Sequence, residues 1–193
     1  MSGILETDSE RLFAALRTVL AAKNIASADE IAERIAVTDA GSPAQGARMV
    51  ARAWVDPAYR AQMLADGTRA AEALGIPMRG APPLGVLENA EGLHHLVVCT
   101  LCSCYPRAVL GYPPFWFKSA AYRARAVRDP RGLLAEFGTE LPPGTRIRVV
   151  DSTADYRWMV LPLRPPGTEG WPEDRLAALV HEGDMIGITL VHV

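Results

Sequence analysis

No stretch of this 193-residue chain approaches the run of about 18 apolar residues that a membrane-crossing helix needs, so no transmembrane span is expected. Neither sign of charge dominates. The 20 lysines and arginines stand against 22 acidic residues, a net charge of −2, which argues against a nucleic-acid-binding surface. The opening residues, Met1-Ser2-Gly3-Ile4-Leu5-Glu6-Thr7-Asp8, lack a basic segment followed by an apolar one and do not read as a secretory signal. Internal repeats and low-complexity segments are missing as well. Cysteine is scarce: three occur, and all fall between positions 99 and 104, which leaves no partner elsewhere for a disulfide framework. Thiols kept close together without a signal peptide fit a reducing cytoplasm, the expected location. The composition that is present, 49% apolar and 22% charged, is that of a soluble globular chain able to bury a sizeable core.

The chain divides by texture near residue 76. Over 1–76 the period and the cap residues predict a helical arm. Thr7-Asp8-Ser9-Glu10 and Ser27-Ala28-Asp29-Glu30 are capping boxes, the first followed by an apolar stripe of Leu12, Phe13, Leu16, Val19 and Leu20. Ser42-Pro43 predicts a cap before a first-turn proline, Asp56-Pro57 starts another helix, and Gly75 is a stop. With modest, alanine-rich faces, such an arm is expected to lie against something else. Over 77–193 an α+β domain is predicted. Its strands are Leu84–Leu87, His94–Val98, Arg146–Val150 and Tyr156–Leu161, with a last one over Met185–Val193. Helices are expected over Ala120–Val127, Pro130–Phe137 and Pro172–Val180.

The cysteine run begins where the strand ending at Val98 stops, as Cys99-Thr100-Leu101-Cys102-Ser103-Cys104. Soft thiolates hold zinc, copper(I), iron and cobalt, and metal binding itself deprotonates them. A structural zinc site needs four ligands and a cysteine-held iron–sulfur cluster usually does too, so three sulfurs fall one short of either. The tight Cys-Ser-Cys turn offers further donors, because it brings the peptide nitrogens of Ser103 and Cys104 toward the same point. Such donors favour a trivalent low-spin ion, and the set leaves one position open, the mark of a catalytic rather than a structural site.

The run Cys99-Thr100-Leu101-Cys102-Ser103-Cys104-Tyr105-Pro106 resembles the metal-binding claw of nitrile hydratase α subunits in their cobalt version. Further segments carry the likeness across residues 84–188. They are Val109-Leu110-Gly111-x-Pro113-Pro114-x-Trp116, Ala121-Tyr122-Arg123-Ala124-Arg125-x-Val127, Asp129-Pro130-Arg131-Gly132 and Leu161-Pro162-x-Arg164-Pro165-x-Gly167-Thr168-Glu169-Gly170-Trp171. The resemblance implies hydration of a nitrile to its amide at one low-spin Co(III) per chain. Thr100 and Tyr105 follow the cobalt pattern rather than that of the Fe(III) form. It implies that Cys99 is an unmodified thiolate ligand, Cys102 a sulfinate and Cys104 a sulfenate, with the backbone nitrogens of Ser103 and Cys104 completing the protein's share. Cys102 and Cys104 are then the catalytic candidates, with the Cys104 sulfenate oxygen as one candidate nucleophile. It also implies a β-type partner subunit in an α2β2 or related hetero-oligomer. That partner contributes arginines to the oxidised sulfurs, so little activity is expected from this chain alone.

One departure stands out. Where the family usually has Trp-Pro after the last claw cysteine, this chain has Arg107-Ala108. Arg107 is the candidate pocket residue, and its cation implies a larger, more polar nitrile, of which a nucleoside nitrile of the toyocamycin kind is one. Competing readings remain open. A thiocyanate hydrolase γ-type subunit carries the same claw, and a non-catalytic metal carrier or redox sensor would keep its thiols unoxidised. His94 and His95 read as a strand pair, one ring packed and one exposed, before they read as ligands. Tyr122, Arg123 and Arg125 read as structural or subunit-facing, and Phe115-Trp116-Phe117 as core or as a covered patch.

Overall fold

The computed structural model describes residues 7–193 and divides the chain into two compact units, Met1–Ala40 and Gly41–Val193. The first unit contains α1 (Asp8–Ala22) and α2 (Ala28–Asp39). Both capping boxes form: the Thr7 and Ser27 hydroxyls accept from the amides of Glu10 and Glu30, whose carboxylates return to the cap amides. Neither helix has a buried residue, and Leu12, Phe13, Leu16 and Val19 are exposed.

The second unit opens with α3 (Pro43–Val55), α4 (Pro57–Ala65) and α5 (Gly67–Ala73). The Asp56 carboxylate caps α4 through the amides of Ala58 and Tyr59. Ser42, expected to do the same for α3, makes no side-chain cap bond, and Pro43 alone sets the first turn. Where the sequence reading places the end of the helical arm after residue 76, the packing divides the chain after Ala40. Met49, Val50, Met63, Ala70 and Ala71 are fully buried in the same core as the strands, so α3 to α5 belong to the globular unit.

Four strands follow the α+β expectation: β1 (Leu84–Glu88), β2 (Leu93–Val98), β3 (Arg146–Asp151) and β4 (Arg157–Leu161). They form two parallel pairs, β1 with β4 and β2 with β3. Parallel pairing needs long crossovers, and the one from β2 to β3 carries the cysteine turn and α6 (Arg107–Leu110), α7 (Phe115–Lys118), α8 (Ala120–Arg128) and α9 (Pro130–Glu136). Strand β2 is covered on both faces, so His94 and His95 are both buried, not one in and one out. Burial holds both imidazoles below their usual pKa. The Asn89 amide donates to His94 Nδ1 at 3.2 Å, leaving Nε2–H to donate to the Gly187 carbonyl at 2.7 Å.

After α10 (Glu173–Ala177), shorter than the expected helix, the chain departs from the predicted last strand. Residues Met185 and Ile186 complete α11 (Glu182–Ile186), and an irregular tail follows. Buried Asp184 accepts from the His181 amide at 2.8 Å and from the Thr189 hydroxyl at 2.6 Å, which ties the helix start to the tail. Gly187, at φ 80°, ends the helix, and a Cβ there would sit 1.9 Å from the His95 carbonyl oxygen. Gly92 has a similar φ of 74° with open space around it. Gly187→Ala should therefore lower stability by at least about 3 kcal/mol and Gly92→Ala by about 1 kcal/mol in chemical denaturation. Equal losses would contradict the close approach.

Candidate metal centre

The cysteine turn starts at the carboxyl end of β2, beside the same end of β3, the usual place for a site on parallel strands. It gathers three sulfurs whose atoms all lie within 4.8 Å of one another. Cys99 Sγ and Cys102 Sγ are 3.5 Å apart, and Cys102 Sγ and Cys104 Sγ 3.2 Å. The Cys102 amide donates to the Cys99 sulfur at 3.2 Å. Cys99 and Cys104 are buried, while Cys102 faces outward next to Leu101, which is 86% exposed. The cluster thus has a closed inner side and an open outer one.

Its electrostatics follow from that asymmetry. Cys102 sits below the usual thiol range because the thiols of Cys104 and Cys99, and then the backbone amide of Ser103, direct hydrogen bonds at its sulfur. Burial pushes Cys104 up to about 12, and its bonds to the other two sulfurs push the same way. The Arg157 guanidinium at the start of β4 opposes this rise, and its Nη1 is buried with no hydrogen-bond partner. Of Cys102 and Cys104 the exposed sulfur is the readier to ionise, and a bound cation is what would favour both thiolates together. Three clustered soft donors with two backbone amides of the turn directed at one of them suit a transition metal. No other group of three or more cysteine, histidine or carboxylate donors with this spacing occurs among the described residues. His94 and His95 stand outside it.

The walls come from distant parts of the chain. Tyr105 packs edge-on against Phe117 at 4.9 Å between centroids, and its hydroxyl donates a hydrogen bond to the Glu182 carboxylate. Burial raises the pKa of both groups. The aromatic run splits its roles: Phe117 is fully buried, Trp116 packs edge-on against Tyr122 at 5.0 Å, and Phe115 is 86% exposed. Tyr122 is structural, its hydroxyl donating to the Val97 carbonyl at 2.7 Å. Arg125 pairs with Asp129 and Glu136. Arg123 does something else, donating from Nη1 to the Leu101 carbonyl at 2.9 Å and the Cys102 carbonyl at 3.3 Å. Asp151 accepts the Thr100 amide at 3.0 Å and the Thr100 hydroxyl. Ser103 is half-buried at the centre of the turn. Arg107, the first residue of α6, is exposed with its guanidinium 4.5 Å from the Tyr112 ring centroid.

Three of these residues, Arg123, Asp151 and Arg157, escape motif reading of the cysteine run. Nothing in the cysteine spacing names them, because each reaches the turn from 21 or more positions away. The arginine-bearing segment around Tyr122 is the one sequence feature that points toward any of them.

Comparison with known proteins agrees with this geometry. The family model described as nitrile hydratase, alpha chain, matches residues 7–189. The α subunit of the low-molecular-weight cobalt-containing nitrile hydratase of Rhodococcus rhodochrous is 45% identical over 194 residues, covering 98% of this chain and 94% of that one. Among solved structures, a recombinant thiocyanate hydrolase comprising partially modified cobalt centres superposes with a TM-score of 0.89 at 41% identity, covering 96% of this chain and 91% of that one. A double histidine mutant of the Fe-type nitrile hydratase from Comamonas testosteroni Ni1 gives 0.84 at 40% identity, with 95% and 90% covered. With the match running over nearly its whole length, this chain belongs to the nitrile hydratase α-chain family.

Proposed function

We propose that this chain is the metal-bearing α subunit of a cobalt nitrile hydratase, which adds water to a nitrile and releases the amide. The observation that carries the reading is the cluster of three sulfurs within 4.8 Å, closed at Cys99 and Cys104 and open at Cys102. Cys99, Cys102 and Cys104 would hold the ion, with the backbone nitrogens of Ser103 and Cys104. When bound, trivalent cobalt supplies Lewis acidity toward a nitrile or a water molecule.

The chain's own residues prepare that site in separate ways. Exposed Cys102 is placed for conversion to the sulfinate, and Cys99, at the strand end, suits the role of plain thiolate. Cys104 would carry the sulfenate, and the Arg157 charge that bears on Cys104 would favour its anionic form. Leu101, Tyr112, Phe115 and Val127 are exposed apolar side chains on the crossover that carries the turn, and they support a β-type subunit covering that crossover. Such a partner would exclude water from the open position and complete the pocket.

Arg107 would line that pocket and favour a polar nitrile. Its guanidinium is exposed and held over Tyr112, so it can offer hydrogen bonds to a substrate without being drawn into an ion pair. Thiocyanate is the rival substrate, supported by the extent of the structural likeness to thiocyanate hydrolase.

Two measurements bear on this reading. The cobalt-loaded complex of this chain with its β-type partner, given an organic nitrile and thiocyanate in parallel, should form amide from the nitrile. Consumption of thiocyanate with no amide formed from any nitrile would transfer the assignment to the rival. Replacing Arg107 by Trp should raise KM for a polar heteroaromatic nitrile by about tenfold or more and leave small aliphatic nitriles unaffected or improved. Unchanged selectivity would remove Arg107 from the pocket.

A further inference from the structure

The cysteine turn has little of its own to hold it in shape. Thr100, Leu101 and Cys102 are all exposed, Leu101 to 86%, and the three sulfurs are crowded within 4.8 Å. A solvent-facing loop of this kind pays conformational entropy to stay ordered. Yet its polar backbone groups are met from two sides by side chains of opposite charge.

On one side stands Arg123. Both of its hydrogen bonds run from Nη1 to the turn, to the carbonyls of Leu101 and Cys102, and no carboxylate pairs with it among the described residues. Its Nε is buried and without a hydrogen-bond partner, so the side chain's hydrogen bonds all go to the turn. Arg125, two residues on, shows the ordinary alternative: its bonds go to Asp129 and Glu136 at the junction of α8 and α9. On the other side stands Asp151. One carboxylate oxygen takes the Thr100 amide and the other takes the Thr100 hydroxyl.

Both clamps are anchored to the strand that leads into the turn. Asp151 is the register partner of Val98, the residue before Cys99, and the adjacent Ser152 amide donates to the Val98 carbonyl at 2.7 Å. Arg123 follows Tyr122, whose hydroxyl is fixed to the Val97 carbonyl. The two charged groups and Cys99 therefore share one rigid reference, strand β2.

We propose that Arg123 and Asp151 are positioning residues that assemble the cysteine turn before the metal arrives, so that cobalt enters a preformed set of sulfurs. This rests on the claw being the metal site. A preorganised loop loses little entropy on binding, whereas a free one must be ordered by the ion itself.

The test uses the full-length, reduced chain and four variants: Arg123→Met, Arg123→Lys, Asp151→Ala and, as control, Arg125→Gln. Hydrogen–deuterium exchange of the peptide spanning residues 99–104 is measured without metal, and cobalt(II) binding is followed through the thiolate-to-metal absorption. Arg123→Met and Asp151→Ala should exchange faster at that peptide and bind cobalt about tenfold more weakly, with thermal midpoints close to that of the parent chain. Arg123→Lys, which keeps a cationic donor, should recover most of the affinity, and Arg125→Gln should match the parent. Parent-like exchange and affinity in both Arg123→Met and Asp151→Ala would overturn the clamp and leave the metal site standing. Failure of the parent chain itself to bind cobalt through its thiols would overturn the metal reading and the clamp with it.

Discussion

Strand β2 pairs with β3 so that Val98 lies opposite Asp151, and the properties of the metal site descend from that register. Both faces of β2 are buried, which gives it no freedom to slide: a one-residue shift would reverse every side chain from Leu93 to Val98. The first cysteine is therefore delivered to a fixed point at the carboxyl end of a parallel pair. The carboxylate that holds Thr100 is delivered to the same point by the neighbouring strand, and Tyr122 ties helix α8 to the same strand one residue earlier. A turn that is itself exposed inherits its order from a strand that is not.

That arrangement gives three equal side chains unequal surroundings. Cys99 emerges directly from the core, Cys102 lies at the solvent-facing crest of the turn, and Cys104 returns inward toward Tyr105 and the aromatic packing of Phe117. Burial and the geometry of sulfur-directed hydrogen bonds separate their acidities in the metal-free chain, downward at Cys102 and upward at Cys104. Exposure sets Cys102 apart as the sulfur most open to an oxidant. The open side, where Leu101 is exposed next to Cys102, is the natural side for a partner to close.

What the sequence revealed was what is local. Capping boxes at Thr7 and Ser27, the Asp56 cap and the four strands are each settled by residues within a few positions, and they stand where the pattern put them. The cysteine spacing likewise picks out the three sulfurs that the turn gathers, because they lie within six positions of one another. The misreadings share a different cause, which is tertiary packing. Met185, Ile186 and Ile188 look like part of a strand, but Asp184 ties that segment to the tail and the His94 ring holds the Gly187 carbonyl, so Met185 and Ile186 end a short helix instead. His94 and His95 should alternate in exposure on a half-covered strand, and both are buried because helices and a second sheet cover both sides. The helices from Pro43 onward look like an arm by composition, and they share a core with β1 and β4. Arg123, Asp151 and Arg157 reach the turn across long separations that no local spacing encodes.

The central claim is that the three sulfurs form a mature, oxidised metal claw, and the most direct measurement is the high-resolution mass of the peptide carrying Cys99 to Cys104. It should be taken from the cobalt-grown complex with its partner. A mature claw shows a gain of about two oxygens localised to Cys102, a labile further oxygen on Cys104, and an unmodified Cys99. Three unmodified thiols in a fully assembled, cobalt-loaded complex would contradict it and make the chain a metal carrier or sensor instead.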